Sequence, residues 1–527
     1  MRRFNVTGVC VGHEHYMVDI SRTLDEIEKL VEQRQYFTIN RARQYGKTTT
    51  LLHFEERLNK SGDYICARVT FENAGINAFD TEETFCEMFL EKVSSALEFS
   101  VAPDEYTGGW FCPDVRNLKQ LDRHIKKMCK DNKVVLMIDE VDKSSNNRLF
   151  LHFLGMLRAK FQMRQEGRDY TFHSVILAGV TDIKNLKLKM INDGQYSPTK
   201  EEGRLVNSPW NIAASFEMDM SFSSEDIATM LNAYEKDNNT GMDIAKIAGE
   251  IYYHTGGYPF LVSRICKHID EKLCKSWTLD SISLAVKVIL KEQSVLFDDL
   301  VKNLENENDL YNFMYELHIL GDRKSFNLGN RTVGLAHTYG YIKEDVRSAA
   351  AVISNRIFER YLTGYFVSKE ETAPDKEILH GIIHQDVIRG DKFDMATCLQ
   401  KFAAHYSEVF TIKDQPFLER QCRLLFLTFL KPLLNGQGNY YIESQFTDQR
   451  RMDIVVDFEK EQYIVELKRW KGEASRERAY DQLLGYMDSK NAKEGFMLTF
   501  DFRKNRTGEY TSEWVEFDGK RIFAVVV

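Results

Sequence analysis

The feature that most limits what this chain can fold into is the segment Asn40-Arg41-Ala42-Arg43-Gln44-Tyr45-Gly46-Lys47-Thr48-Thr49. Tyr36 to Asn40 reads as a short strand, and a helix is expected from Thr48 onward. Strand, glycine-lysine-threonine turn and helix together are the context a phosphate-binding loop needs. Backbone N–H groups at such a turn and at the helix N-terminus bind phosphate oxygens. Lys47 would neutralise the outer phosphates, and Thr48 would give its hydroxyl to Mg2+. Arg41 stands where the usual motif has its first glycine. Arg41 and Arg43 either contact phosphate or shape the loop.

A second segment strengthens the reading. Val134-Val135-Leu136-Met137-Ile138-Asp139-Glu140 is a fully apolar strand ending in two acids. Burial explains the apolar run but does not require acids at its C-terminal end, where open α/β sheets bind their ligands. Asp139 would hold Mg2+ through water, and Glu140 would polarise the water that attacks ATP. From about residue 20 to 270, apolar strands alternate with amphipathic helices. The helices are read at 20–33 and 84–97, and further strands at 64–71 and 174–180. The pattern predicts a parallel sheet with helices on both faces. Beyond Phe222 the strands stop, and Ser223-x-x-Asp226 reads as a helix start.

Charge and cysteines bound the class. The net charge of −9 gives no global basic signal for nucleic acid, although a local basic cleft is compatible with it. No apolar leader opens the sequence and no 18-residue apolar run exists, so no membrane association is expected. The 9 dispersed cysteines form no C-x-x-C pair, which predicts reduced thiols in a cytoplasm.

The segments NRARQYGKTTTL, LMIDEVD, ILAGVTDI, NSPWNIA and TGGYPFLV together resemble the bacterial and archaeal AAA-like ATPases, close to the AAA+ and STAND branches of P-loop NTPases. The resemblance implies nucleotide contacts from Arg43, Gln44, Tyr45, Gly46, Lys47, Thr48, Thr49 and Asp139. It implies a sensor at Thr181 or Asp182, and a lid turn near the nucleotide at Gly256-Gly257-Tyr258-Pro259. Pro209-Trp210 and Gly256-Gly257 also read as a packed turn and a helix cap. The expected organisation is an ATPase core at 1–221, a helical lid at 222–305, a winged-helix-like region at 306–367, a linker at 368–378 and a further α+β domain at 379–527.

That last domain has its own constellation. Asp453 opens an expected strand, and Glu466 and Lys468, two residues apart on the next one, share a face. Asp453 and Glu466 can share Mg2+ (or Mn2+), and Lys468 can steady charge developing on phosphate. The arrangement resembles the PD-(D/E)xK nuclease superfamily, with its restriction-endonuclease-like fold. The resemblance implies roles for Glu419 on the preceding helix and Gln482 on the following one. Met452 replaces the motif proline. Lys468-Arg469-Trp470-Lys471 reads either as a nucleic-acid contact, with Trp470 stacking on a base, or as a solvated edge.

The expected function is therefore an ATPase that gates a metal-dependent nuclease acting on DNA rather than RNA. The alternative is an ATP-switched binding protein whose nuclease-like domain is inactive. AAA-like enzymes can assemble an arginine finger between subunits, which allows for a homo-oligomer.

Overall fold

The computed structural model describes the chain except residues 1, 72–74, 101–105, 107, 142–147, 181–213, 217–218, 321, 372–386, 390–391, 410–414, 435–437, 443–453, 460, 471 and 504–509. Thr181, Asp182, Pro209, Trp210 and Asp453 thus lie outside the described residues. The chain divides into two compact units, Met1–Ile289 with Thr338–Gly340, and Leu290–His337 with Tyr341–Val527.

In the first unit, β1 (Tyr36–Asn40), β2 (Ile65–Thr70), β3 (Val134–Asp139), β4 (Ser174–Gly179) and β5 (Ala214–Ser215) form one sheet in the order β2-β3-β4-β1-β5. Every pairing is parallel. Side chains alternate across a strand, and here they divide between two apolar layers. Val134, Leu136 and Ile138 face the layer formed by α3 (Glu82–Leu97), α4 (Leu118–Met128) and α5 (Arg148–Gln165). Val135 and Met137 face α1 (Ser21–Glu32) and α2 (Lys47–Ser61). The same alternation turns Asp139 toward α2, which is why the acid at the end of β3 meets the start of that helix.

The helical part of this unit starts as expected. Ser223 caps α6 (Ser224–Asn238) in a reciprocal box with Asp226. α7 (Ile244–Thr255), α8 (Pro259–Lys272) and α9 (Leu279–Lys291) follow. Gly257 holds a φ of +76°, and a Cβ there would lie 2.0 Å from the Phe222 carbonyl oxygen. Gly257→Ala is expected to cost about 3 kcal/mol or more through backbone strain and overpacking. Gly155→Ala, in open space on α5, should leave the urea midpoint unchanged or slightly raised. Equal midpoints for the two variants would contradict this.

The second unit begins with α10 (Val295–Asn306), α11 (Asn308–His318) and α12 (Arg331–Thr338). The hairpin β6 (Ile342–Asp345) and β7 (Ala350–Ile353) and then α13 (Arg356–Glu371) follow. Ser368 to Glu371, expected to open a linker, instead close α13; 372–378 lie outside the described residues. After the short pair β8 (Ile388–Arg389) and β9 (Lys392–Phe393) come α14 (Met395–Val409) and α15 (Gln415–Leu434). A second sheet has the order β10-β11-β12-β13-β15-β14. Its strands are β10 (Gly438–Tyr441), β11 (Ile454–Phe458), β12 (Glu461–Arg469), β13 (Glu494–Phe500), β14 (Thr511–Phe517) and β15 (Lys520–Val526), with α16 (Glu473–Ser489) between β12 and β13. β12-β13 and β13-β15 are parallel pairs, and the other neighbours are antiparallel.

A buried node joins three helices of this unit. His318 Nε2 pairs with Thr363 Oγ1 at 2.8 Å, and Arg423 donates to the Ile319 carbonyl at 2.9 Å. Burial, helped by the Arg423 charge, pushes the His318 imidazole down to about 3. The unfolded chain takes up a proton there below about 6.5, whereas the folded chain stays neutral to about 3. Stability contributed by this group is therefore present above the unfolded pKa and is lost as pH falls. His318→Gln should flatten the pH dependence of unfolding between pH 6 and 4 by up to about 1.4 kcal/mol per pH unit. An unchanged slope in urea titrations would contradict the assignment.

Candidate functional site

The loop between β1 and α2 is built from unusual backbone. Gln44 and Gly46 hold φ values of 58° and 82°, and alternating conformations of this kind turn successive N–H groups inward to make an anion cradle. Lys47, the first residue of α2, bridges the loop, with Nζ donating to the Arg41 and Ala42 carbonyls at 2.8 and 2.9 Å. An ammonium has three donors, and phosphate oxygens can take over bonds of this kind. The Arg41 guanidinium donates to the Asn40 carbonyl at 2.7 Å and lies 6.0 Å from the Phe216 ring centre.

Asp139, on the α2 side of the sheet, comes near enough to Thr48, the second residue of α2, for the hydroxyl to act on its carboxyl. Asp139 is 3% exposed. Burial pushes its carboxyl up, while the Thr48 hydroxyl and the Glu140 N–H (2.9 Å) pull it back. A hydroxyl beside a carboxylate suits Mg2+, which takes oxygen ligands and keeps several waters. Glu140 follows with a φ of 54°, a left-handed turn that carries the chain out of the strand immediately after Asp139.

Two further elements reach this loop, the expected lid turn and an N-terminal segment that the sequence did not announce. The Tyr258 hydroxyl, at the start of α8, donates to the Arg43 carbonyl at 2.6 Å, and its ring packs edge-on against Tyr45 at 4.7 Å. Tyr45 and Ser221 share a hydrogen bond of 2.7 Å. The expected lid turn thus touches the loop through Tyr258. The N-terminal segment reaches the first turns of α2. The Cys10 N–H donates to Thr49 Oγ1 at 3.1 Å, and a His53 ring nitrogen lies 3.0 Å from the Cys10 carbonyl. That segment is rooted on α6 and beside Trp277. Tyr16 donates to Asp237 at 3.0 Å, Arg2 pairs with Asp237 at 2.9 Å, and Phe4 stacks on Tyr234.

In the second unit, α16 covers the sheet face bearing Val455, Ile464 and Met497. Glu466 and Lys468 continue the Ile464 face along β12. Glu466 is 1% exposed, and Lys468 Nζ lies 2.6 Å from its Oε1. Lys468 also donates to Gln482 Oε1, on α16, at 3.3 Å. Three of the expected residues are therefore together. Glu419 falls on α15, and Asp453 precedes Ile454, which is paired with Val465. Among the described residues no group of three His, Cys, Asp or Glu gathers as a metal cluster, and no helix is long and apolar enough to cross a membrane.

Among solved structures, the chain is similar to a Walker-type ATPase of Pyrococcus abyssi, with 11% identity over 67% of this chain and 98% of that one at a TM-score of 0.46. It is also similar to Cdc6p of Pyrobaculum aerophilum, with 12% identity, 70% and 98% coverage and a TM-score of 0.32. The Aeropyrum pernix ORC2 protein, in ADPNP–ADP complexes, gives 12%, 70%, 97% and 0.33. No curated protein matches. The profile of the AAA-like domain family matches residues 14–364. That span is more than half of the 527 residues, and the chain belongs to the AAA-like domain family.

Proposed function

We propose that the chain is an ATP-binding and ATP-hydrolysing AAA-like switch that controls metal-dependent cleavage of DNA by its C-terminal domain. The nucleotide half rests on Lys47 spanning its loop and on Thr48 beside Asp139. Thr48 and Asp139 would hold Mg2+, and Glu140 would orient the attacking water. We divide the chain into an ATPase core at 1–221, a lid at 222–305, a winged-helix-like region at 306–367 and a PD-(D/E)xK-like domain at 379–527.

The observation that carries the nuclease half is the buried Glu466 carboxylate with Lys468 between it and Gln482. A buried acid on a strand needs a charge partner, and a lysine that also reaches a glutamine is placed to steady a phosphate oxygen. Glu466 and Asp453 would hold Mg2+ or Mn2+, which would supply a Lewis acid and a water of lowered pKa. Glu419 and Gln482 would position substrate and water. One water oxygen joins phosphorus, one phosphodiester bond breaks, and the leaving oxygen takes a proton.

Purified protein with Mg2+ or Mn2+ should nick plasmid DNA, and Asp453→Ala should slow nicking at least about 100-fold. Equal cleavage by the two proteins, or none by either with any metal, would defeat this half of the reading.

A further inference from the structure

The rim of the Glu466 site carries an indole that the cleavage reading does not use. Trp470 follows β12, yet its N–H bonds to the Phe500 carbonyl at 2.9 Å and so extends the β12–β13 ladder by one residue. The alternation along the strand therefore puts Trp470 on the side of Glu466 and Lys468. Gly472, with a φ of +105°, then turns the chain into α16, leaving the half-buried indole at a strand-to-helix corner.

Two guanidiniums approach its ring. Arg503 stands 4.7 Å from the ring centre and Arg476 stands 5.8 Å away. Arg503 is fixed by Asp501, with Nε at 2.9 and 3.0 Å from its two oxygens and Nη2 at 2.6 Å from one of them. Asp501 is itself buried and anchored by its N–H to the Val527 carbonyl at 2.7 Å. The indole thus meets an arginine paired with a buried carboxylate, while Arg476 stands farther off on the first turn of α16.

We propose that Trp470 is a stacking platform for an unpaired base, with Arg476 taking the adjoining phosphate, so that the Glu466 site prefers single-stranded DNA. This rests on the nuclease reading for its substrate class. Within a duplex the base faces are stacked on one another and hidden, so an aromatic platform gains only from a base that has left the stack. Tryptophan offers a large face at low entropic cost, and an arginine beside it serves the backbone.

The test is fluorescence anisotropy of labelled oligothymidine and of a blunt duplex with the full chain, in EDTA so that no cleavage intervenes. Trp470→Ala should weaken oligothymidine binding about ten-fold, the worth of one stacked base, and leave duplex binding unchanged. Trp470→Phe keeps a ring and should stay within about three-fold of the parent. Equal oligothymidine affinity for Trp470→Ala and the parent would overturn the platform, as would equal loss on both DNAs or an absence of DNA binding. If the binding pattern holds while the parent cleaves nothing with Mg2+ or Mn2+, the platform stands and the nuclease reading fails. If cleavage occurs and Trp470→Ala leaves oligothymidine affinity intact, the reverse follows. The unfolding midpoint of Trp470→Ala, compared with Trp470→Phe, separates lost stacking from lost folding.

Discussion

Lys47→Ala should bind ATP at least about 100-fold more weakly than the parent, the loss expected when one or two charge-assisted hydrogen bonds to phosphate disappear. The reasoning starts from the ammonium's present bonds. Nζ spends two donors on the Arg41 and Ala42 carbonyls, which closes the loop across its own mouth. When nucleotide arrives, those donors exchange neutral carbonyl partners for charged phosphate oxygens, and charge-assisted bonds are about twice as strong. Alanine cannot make the exchange and leaves the phosphates to the loop's backbone alone. Titration with a fluorescent ATP analogue reads the change. Asp139→Asn should behave differently, keeping nucleotide binding within about ten-fold while hydrolysis falls at least about 100-fold, because on the proposed reading it would weaken a metal position rather than the cradle. Undiminished ATP binding by Lys47→Ala would contradict the account of the loop.

Glu466→Gln should lower metal-dependent DNA cleavage at least about 100-fold while leaving the fold intact. Glutamine keeps the shape of the buried side chain, and Lys468, whose side chain is 31% exposed, can turn its charge to water. Lys468→Ala is the more damaging change to the protein. It takes the lysine ammonium away from Glu466, whose side chain is 2% exposed, and removing one partner of a buried pair costs about 3 kcal/mol. The two variants therefore separate chemistry from stability: comparable cleavage defects, but a lowered urea midpoint only for Lys468→Ala. Wild-type cleavage by Glu466→Gln would contradict the role given to the carboxylate.

The parts of the fold that were legible are those where burial dictates composition. β3 is apolar from Val134 to Ile138 because helices cover both of its faces, so Asp139 at its end is conspicuous. Ser223 and Asp226 announced α6 because a capping box is a local, two-residue device. The Glu466–Lys468 pairing followed from alternation alone, and Gln482 came with the superfamily resemblance.

What was missed was written in main-chain atoms or in long-range contacts. The Cys10 N–H reaching Thr49, and the Tyr258 hydroxyl reaching the Arg43 carbonyl, leave no pattern in the sequence, because almost any residue supplies a backbone donor or acceptor. The β14–β15 hairpin was missed for two reasons. β14 is an edge strand with Glu513 and Glu516 along it, so it shows no continuous apolar signal. The turn itself is a short local signal, Asp518-Gly519 with Gly519 at a φ of +82°, which by itself carries no apolar pattern. The expected linker start at Ser368 failed because a run of polar residues also suits the exposed last turn of a helix such as α13.

The central claim is that nucleotide bound at Lys47 controls chemistry at Glu466. It is tested most directly by the rate of Mn2+-dependent cleavage of a fluorescent DNA, followed against ATP concentration for the parent and for Lys47→Ala. The account predicts a rate that changes with ATP in the parent and a flat response in the variant. The same ATP response in both proteins, or a parent rate indifferent to ATP, would contradict it.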